Sequence, residues 1–437
     1  MFTTLKNAFK IKEIRNKIFF TFLMLVVIRL GSQLPVPGVD RTYFARWFES
    51  QTGDAFNFFD AFTGGSFLNM SVLALNITPY ITSSIIMQLM TIAIPKLEEM
   101  QRDGADGRKK IASITRYVTV ALALIEAGVM AIGFGRQGLL ETYNVMNIIT
   151  VIVALTAGSA FLMWIGERIT ENGVGNGISI VLTINILSRM PQDIAQLFEQ
   201  FVIGRSIAKG VVAAIIIIAI IVLMVVLVIV LNDGVRKIPV QYAKKVQGRK
   251  MVGGQTTNIP LKVNTSGVIP VIFASSLMQL PVVICSLFNV NGTGFWGELL
   301  KGLNSNYWCN PEHLVYSIGL VVYIFLVVFF AYFYTSITFN PMEIADNMKR
   351  QGGFIPGIRP GKPTSDYLAK LLNYIVFIGA IGLTIVCVVP YFFNGVFGAQ
   401  VSFGGTSLII IVSVVLETVK QIESQMLVRN YKGFLND

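Results

Sequence analysis

The sequence predicts an all-α, polytopic membrane protein with ten transmembrane helices, arranged as two pseudo-symmetric, inverted halves of five helices each. Three observations lead to this fold class. Hydrophobic residues make up 54% of the 437-residue chain and charged residues only 14%, with a mean hydropathy of +0.65, whereas soluble domains carry about a quarter charged residues. Apolar runs long enough to cross a bilayer recur along the chain. Positive charge concentrates in alternate loops.

The apolar runs define the predicted spans. Most are about as long as a helix that crosses the hydrocarbon core, although the fifth is short. The spans are residues 18–34, 77–94, 117–134, 145–165, 178–187, 211–231, 268–288, 314–339 and 371–393, followed by a helix that starts near Ser407 and continues past Glu417. A basic tail precedes the first run, but no small-residue cleavage site follows it. We therefore predict a retained span rather than a secretory signal.

The distribution of lysine and arginine predicts the orientation in the membrane. The N-terminal tail and the loops after the second, sixth and eighth spans each carry at least five basic residues, and the alternate loops carry three or fewer. Cytoplasmic loops are the ones enriched in basic residues, so both termini are predicted to be cytoplasmic. This topology also explains the net charge of +11 without a nucleic-acid ligand.

The ten spans divide into two halves. Residues 1–190 form the N-terminal half, residues 191–210 an external hinge connection, and residues 211–437 the C-terminal half. The second and seventh spans are weakly alike, because Pro79 and Pro270 are each followed by isoleucine and a pair of serines. These spans run in opposite directions in the predicted topology. Inverted repeats of this kind are typical of transport proteins.

The stretch from 57 to 94 organises the rest of the chain. Its second half is an uncharged span, whereas residues 57–76 are too polar and glycine-rich to cross a membrane as a helix. The interrupting residues are Gly64, Gly65, Asn69 and Asn76. Non-helical backbone at membrane depth is tolerated only where it is buried in protein or lines a watery cavity. We therefore predict a segment folded into the mouth of a pore, with an ordinary external loop as the alternative.

Two cytoplasmic loops, residues 232–266 and 340–370, are long enough to have structure of their own. Alternating apolar and polar residues predict a hairpin in the first. In the second, Asn340 and Pro341 predict a helix start, and nearby prolines and glycines hold Arg359 on an exposed tip. Long connections tend to be functional, which favours docking surfaces for an ATPase or for ribosomal RNA over solvated charge alone.

The residues that usually carry catalysis or bind metals are scarce. His313 is the single histidine, and the cysteines at 285, 309 and 387 have no CxxC spacing. Gly361 and Lys362 do not form a P-loop, because proline follows the lysine and no glycine stands five residues before Gly361. We therefore expect no metal, no cofactor and no enzymatic activity of the chain alone.

Nine stretches in order resemble the SecY family, the channel subunits of bacterial Sec protein translocases. The stretches are RLGSQLPVPG, ITPYITSSIIMQL, DGRKKI, TRY, GNGISI, IPVQYAKKVQGRK, IPLKVNTSGVIPVIFASS, FNPMEIADNMKRQGGFIPGIRPG and FGGTSLI. The resemblance covers nearly the whole chain. It implies a clamshell of two five-helix halves around an hourglass pore, through which unfolded polypeptides cross the membrane and transmembrane segments leave sideways into lipid.

The same resemblance implies roles for particular residues. The pore ring would be Ile77, Ile81, Ile178, Leu182, Ile272 and Ile410. The plug that seals the outer funnel would be Phe62, Thr63, Gly64, Gly65, Ser66, Phe67, Leu68 and Asn69. The polar contact of the lateral gate would be Thr82, Glu126 and Gln279. The docking site for motor and ribosome would be Lys244, Lys245, Arg249, Lys250 and Arg359. A short polar plug is expected to make few apolar contacts and to leave at low cost.

The resemblance also implies partners. These are the SecE and SecG subunits, the SecA ATPase motor, the ribosome, signal peptides and nascent secretory or membrane proteins, and phospholipid of the bacterial inner membrane. An alternative is a secondary transporter with inverted repeats, for which Arg29 and Glu126 are the only ionisable candidates inside the spans. A second alternative is a membrane scaffold without a conduit.

Overall fold

The computed structural model describes residues 8–50, 60, 63–202, 207–242, 245–247, 250–252, 256–287, 295–309, 314–397 and 405–433. Most of these residues are helical. The chain divides into two compact units, which are described separately. The first unit comprises Met1–Gln196, Val282–Thr293 and Val414–Asp437, and the second comprises Leu197–Pro281 and Gly294–Ser413.

The helices follow the apolar runs of the sequence. They are α1 Lys12–Gly31, α2 Arg41–Ser50, α3 Thr78–Ala93, α4 Pro95–Arg102, α5 Gly104–Arg136, α6 Val145–Asn172, α7 Gly177–Phe201, α8 Ile207–Asp233, α9 Ile269–Leu287, α10 Phe295–Leu303, α11 Ile318–Thr338, α12 Pro341–Arg350, α13 Lys362–Phe397 and α14 Gly405–Gly433. The strands are β1 Val235–Tyr242, β2 Lys245–Gln247, β3 Lys250–Val252, β4 Thr256–Lys262 and β5 Gly353–Phe354.

Among the described residues, five helical stretches are long and apolar enough to cross a membrane by themselves. They fall on α5, α6, α8, α11 together with α12, and α13, and they overlap the predicted third, fourth, sixth, eighth and ninth spans. α3 and α4 qualify as a sixth only if counted together, and they meet at a bend of 107°. The remaining predicted spans fall on α1, α7, α9 and α14. The full layout of ten spans in two inverted halves therefore stays a prediction.

α7 is longer than its apolar run. The sequence predicts a short fifth span that ends at Leu187, whereas the helix continues to Phe201 with Pro191 inside it. Proline removes one backbone hydrogen bond but does not end this helix. Beyond Leu187 the helix is amphipathic, so its continuation is not visible as an apolar run. The first part of the predicted hinge connection, residues 191–201, is consequently helical.

The core of the first unit joins the N-terminal part of the chain to α5 and α6. Its buried residues include Phe44, Phe67, Phe134 and Leu155, which come from four separate stretches of sequence. Gly158 of α6 lies so close to residue 72 that a Cβ on this glycine would clash with the backbone oxygen of residue 72. The stretch after residue 63 is therefore packed into the unit rather than lying on its surface.

The described parts of the two long loops of the second unit, residues 232–266 and 340–370, form one small domain, which we name the hairpin domain. β1 pairs antiparallel with β4, with Val235 opposite Lys262, which confirms the predicted hairpin. β5, from the other loop, pairs with the opposite edge of β1. Asn340 caps α12 by accepting hydrogen bonds from the backbone N–H groups of the next turn, as predicted. Ile238 and Met348 share one apolar core, so sheet and helix fold together.

Candidate functional site

The plug segment, residues 62–69, leads into α3 through a non-helical stretch. Phe62 lies outside the described residues, and residues 63–77 follow a series of turns. Gly64 and Gly65 have φ angles of 66° and 82°, which glycine adopts without steric cost. Pro79 then occupies the first turn of α3, a position that suits proline because its missing N–H has no helical partner there. The non-helical entry into this span agrees with the sequence-based expectation.

The plug segment lies against one face of α7. The carbonyl oxygen of Gly64 accepts hydrogen bonds from Ser188 Oγ at 3.3 Å and from Arg29 Nη1 of α1 at 3.4 Å. A Cβ on Gly64 would lie 2.4 Å from the backbone oxygen of Asn185, so only glycine allows this approach. The side chain of Asn185 also donates from Nδ2 to Asn76 Oδ1 at 2.8 Å. α7 therefore contacts the chain both within the plug segment and just before α3.

Three charged side chains lie at the start of the plug segment. Arg189 of α7 forms a salt bridge with Asp60 and approaches Asp193, one turn further along α7, to 3.6 Å. Asp60 also accepts a 2.8 Å hydrogen bond from the backbone N–H of Leu68. The side chain of Asp60 is 0% exposed and that of Arg189 is 12% exposed. Because charges at such depth are costly when unpaired, these contacts are a strong constraint on the plug segment.

The plug segment also has a large apolar contact. Phe67 is 2% exposed, and its ring centroid lies 5.8 Å from that of Phe44 and 6.2 Å from that of Phe134. The expectation of few apolar contacts is wrong at this position. Its partners lie on α2 and α5, so the local composition of the segment did not reveal them. Deeply buried aromatic rings are among the largest apolar contributions to stability.

Four of the six predicted pore-ring residues belong to the first unit, and these are Ile77, Ile81, Ile178 and Leu182. Ile77 directly precedes α3, Ile81 lies one turn later, and the other two lie one turn apart on α7. The hydrogen bond between Asn76 and Asn185 holds α7 beside the start of α3, close to Ile77 and Leu182. The two elements that carry these apolar side chains are therefore neighbours.

The other two ring residues belong to the second unit. Ile272 lies on α9 and is half-buried, and Ile410 lies on α14 and is 1% exposed. Both are apolar side chains within predicted spans, as a hydrophobic constriction requires. Closure of a six-residue ring stays a prediction.

The predicted polar contact of the lateral gate stays a prediction. Ser83 of α3 donates from Oγ to the backbone oxygen of Thr115 on α5 at 2.8 Å, so these two helices are in contact. The Thr82 hydroxyl donates to the backbone oxygen of Thr78, one turn earlier on α3. Glu126 lies further along α5. Gln279 is on α9, but its side chain lies outside the described part of the structure.

The predicted docking residues are described in part. Lys244 and Arg249 lie outside the described residues, as do the side chains of Lys245 and Lys250 on β2 and β3. Arg359 is exposed, as predicted. Its carbonyl oxygen accepts a 2.8 Å hydrogen bond from the Thr364 hydroxyl, and the glycines at 357 and 361, on either side of it, have positive φ angles. The backbone thus holds the guanidinium in solvent on a defined turn.

Sequence reasoning missed the residues of α7 that contact the plug segment. Arg189 and Asp193 are one turn apart immediately after an apolar run, which is the available signal, but both lie beyond the predicted end of the fifth span at Leu187. Asp60 was not singled out either. Within the described residues, no group of three or more His, Cys, Asp or Glu side chains could hold a metal ion.

Comparison of the sequence with known proteins identifies the family. A sequence model of the SecY family matches residues 71–419. The chain is 43% identical, over the full length of both chains, to the protein translocase subunit SecY of Streptomyces scabiei. It is 41% identical to the same subunit of Bacillus subtilis, again over the full length of both.

Comparison of the fold agrees with this relationship. A solved structure described as "The structure of a protein conducting channel" has a TM-score of 0.62 and 18% identity, and the match covers 97% of each chain. Sec61 in the canine ribosome-channel complex has a TM-score of 0.60 and 17% identity, with the same coverage. At these identities the structural matches show the fold alone. Taken with the full-length relatives, they show that the chain belongs to the SecY family of protein translocase subunits.

Proposed function

We propose that this chain is the central, pore-forming subunit of a Sec translocase in a bacterial inner membrane. It passes unfolded secretory polypeptides across the membrane and releases transmembrane segments sideways into lipid. The full-length match to curated SecY subunits supports this role. The structural observation that carries it is the non-helical segment 63–77, which is packed inside a membrane protein and leads directly into α3. Such backbone is tolerated at membrane depth only beside a cavity or inside protein.

Residues 62–69 are the plug in this proposal. A related structure, with a TM-score of 0.60 and 19% identity, carries the description "The plug domain of the SecY protein stablizes the closed state of the translocation channel and maintains a membrane seal". In this chain the corresponding role falls to a segment held by α7 through Gly64 and by the aromatic cluster through Phe67. Removing it opens the outer funnel.

The six isoleucine and leucine side chains of the predicted ring form the constriction. A moving polypeptide presents every kind of side chain in turn, so its conduit cannot use specific binding groups. Branched apolar side chains close around it and exclude water when the pore is empty. The ring residues of the first unit lie on adjacent elements, which supports this assignment.

The ten-span topology, with both termini in the cytoplasm, is part of the same proposal. It places the hairpin domain and the turn that carries Arg359 on the cytoplasmic side, where the basic loops are expected. Two matched structures are of channel complexes with ribosomes, one canine and one from yeast, which supports docking of a ribosome at this surface. SecA, SecE and SecG are proposed as the motor and the small subunits. Energy for export comes from these partners.

The transporter alternative is disfavoured by the comparisons, whose full-length relatives are translocase subunits. It also makes a separate prediction. A transporter that uses Glu126 should lose activity on Glu126→Gln and should show saturable uptake of a small solute. The channel should export protein normally with this substitution.

Cross-linking tests the proposed conduit. The three native cysteines are replaced by serine, one cysteine is placed at Ile81, and a secretory chain that carries its own cysteine is stalled during export. The expected result is a disulfide that forms only when the stalled chain is engaged. The matched control places the cysteine at Val222, which is 54% exposed on α8 and is expected to face lipid. A stalled chain that is inserted yet reacts at Val222 and not at Ile81 would overturn the proposal.

A further inference from the structure

The plug segment is attached differently at its two sides. On its C-terminal side the attachment includes backbone pairing, because Val36 N–H donates to Met70 O at 3.0 Å and Val72 N–H donates to Leu34 O at 2.9 Å. Pro35 and Ser71 form an isolated antiparallel bridge at the same place. Asn69 Oδ1 also accepts a 2.6 Å hydrogen bond from Arg41 Nη2. Backbone pairing of this kind does not depend on which side chains are present. It provides a fixed point about which the preceding residues can move.

On its N-terminal side the attachment is made by side chains. Arg189 pairs with Asp60, and Asp60 accepts the backbone N–H of Leu68, so that one carboxylate joins α7 to a residue near the C-terminal end of the segment. Arg29 and Ser188 both donate to Gly64 O. Each of these contacts can be released without breaking a backbone ladder.

The charges around this attachment are balanced. Asp60 and Asp193 are acidic, Arg189 and Arg29 are basic, and both carboxylates are buried, with side-chain exposures of 0% and 3%. Separation of Arg189 from Asp60 leaves the buried carboxylate of Asp60 without its arginine unless water reaches it, whereas Arg189 stays beside Asp193. The closed arrangement is therefore favoured as long as the site stays dry.

We infer that Arg189 is a positioning residue that holds the plug closed through Asp60, and that opening separates this pair while the backbone bridge at residues 70–72 stays formed. Since Asp60 also accepts the backbone N–H of Leu68, loss of the pair loosens the plug segment, which is then held by the contacts of Gly64 and by the packing of Phe67. The inference rests on the proposed function, because it takes residues 62–69 to be the seal. It assigns the closing force to a charge pair that the sequence alone did not reveal.

The test measures resting ion conductance of the full-length chain, purified with its co-purifying subunits and placed in planar lipid bilayers. The variants are Asp60→Asn, Arg189→Gln, the double variant, and Arg189→Lys, with Arg46→Gln as the control because Arg46 is an exposed arginine of the same unit. Each is also tested for export of a secretory protein in cells. A variant that exports normally while it leaks is folded. Deletion of residues 62–69 provides the reference for an unsealed channel.

Each single variant is expected to raise the resting conductance roughly tenfold or more, because Arg189→Gln leaves two buried carboxylates without their arginine and Asp60→Asn removes the charge that Arg189 holds. The double variant is expected to leak less than the product of the two single effects, since the residues act as a pair. Arg189→Lys should restore part of the seal by keeping the charge, and Arg46→Gln should behave as wild type.

Two results would overturn the inference while leaving the plug assignment intact. One is a deletion variant that leaks while both single variants stay sealed. The other is a double variant whose leak equals the product of the single effects, which would mean that Asp60 and Arg189 act independently. A deletion variant that stays sealed would instead contradict the proposed plug, so the two failures are distinguishable. If Asp60→Asn or Arg189→Gln does not fold, which loss of export shows, the resting conductance of Arg189→Lys decides the test, because this variant keeps the positive charge.

Discussion

Replacing Gly64 by alanine is expected to push the plug segment away from α7. An ideal Cβ at this position would lie 2.4 Å from the backbone oxygen of Asn185 and 2.8 Å from Ser188 Oγ. The serine side chain can rotate, but the backbone oxygen belongs to a helix and cannot move away by itself. The methyl group is therefore accommodated by displacement of the plug, which is the less firmly held of the two elements.

The size of the effect follows from two contributions. A non-glycine residue at a φ of 66° costs roughly 1–2 kcal/mol relative to glycine. Overpacking against a fixed neighbour typically costs about 1–3 kcal/mol. If together they destabilise the closed form by about 3 kcal/mol, the ratio of open to closed channels rises by roughly a hundredfold. The assay is the open probability of single channels in planar bilayers without a substrate polypeptide.

Gly65 provides the matched control. Its φ of 82° imposes a similar backbone cost on alanine, but the nearest atom to an ideal Cβ is Asn69 Nδ2 at 4.0 Å. Gly65→Ala is thus expected to raise the open probability only about tenfold, from backbone strain alone. Equal open probabilities for Gly64→Ala and Gly65→Ala would refute the argument that close approach to α7 holds the plug.

Three further predictions concern other contacts. Phe67→Ala should raise the resting leak strongly, because truncation of a buried phenylalanine costs about 3–5 kcal/mol and its cluster with Phe44 and Phe134 is lost; a sealed channel would contradict this. Arg359→Glu should abolish motor-driven export in inverted membrane vesicles while the chain still inserts, whereas Lys349→Glu, on the exposed face of α12, should export at more nearly normal rates. Asn340→Ala should destabilise the hairpin domain by about 1 kcal/mol through loss of the cap, measured as faster proteolysis of this domain, and an unchanged cleavage rate would argue against it.

Local patterns in the sequence were sufficient for the elements that local interactions specify. The apolar runs predicted the long spanning helices, and alternation of residue type predicted the pairing of β1 with β4. Asn340 and Pro341 predicted the start of α12, because a cap is made within one turn. In these cases the residues that determine the structure are also neighbours in the chain or repeat with a simple period.

Contacts between distant residues could not be predicted in this way. Asp60 and Arg189 are far apart in the sequence, and nothing in either neighbourhood indicates the other. The hydrogen bond from Ser83 of α3 to the backbone oxygen of Thr115 on α5 also joins two helices through residues that no local pattern singles out. The pairing of β5 with β1 likewise joins two loops that were treated separately.

The plug segment is held by polar contacts and by one apolar contact, and the two kinds respond differently to water as the proposed seal opens. In the proposed closed state the hydrogen bonds and the ion pair made by Arg29, Ser188 and Arg189 are partly shielded from water, which strengthens such interactions electrostatically. Once the plug begins to move, water solvates the same groups, so each further contact costs less to break than it did in the dry site. Phe67 behaves oppositely, since exposure to water becomes less favourable as more of its ring is uncovered. We therefore expect abrupt rather than graded opening, with the polar contacts setting the threshold and Phe67 driving reclosure.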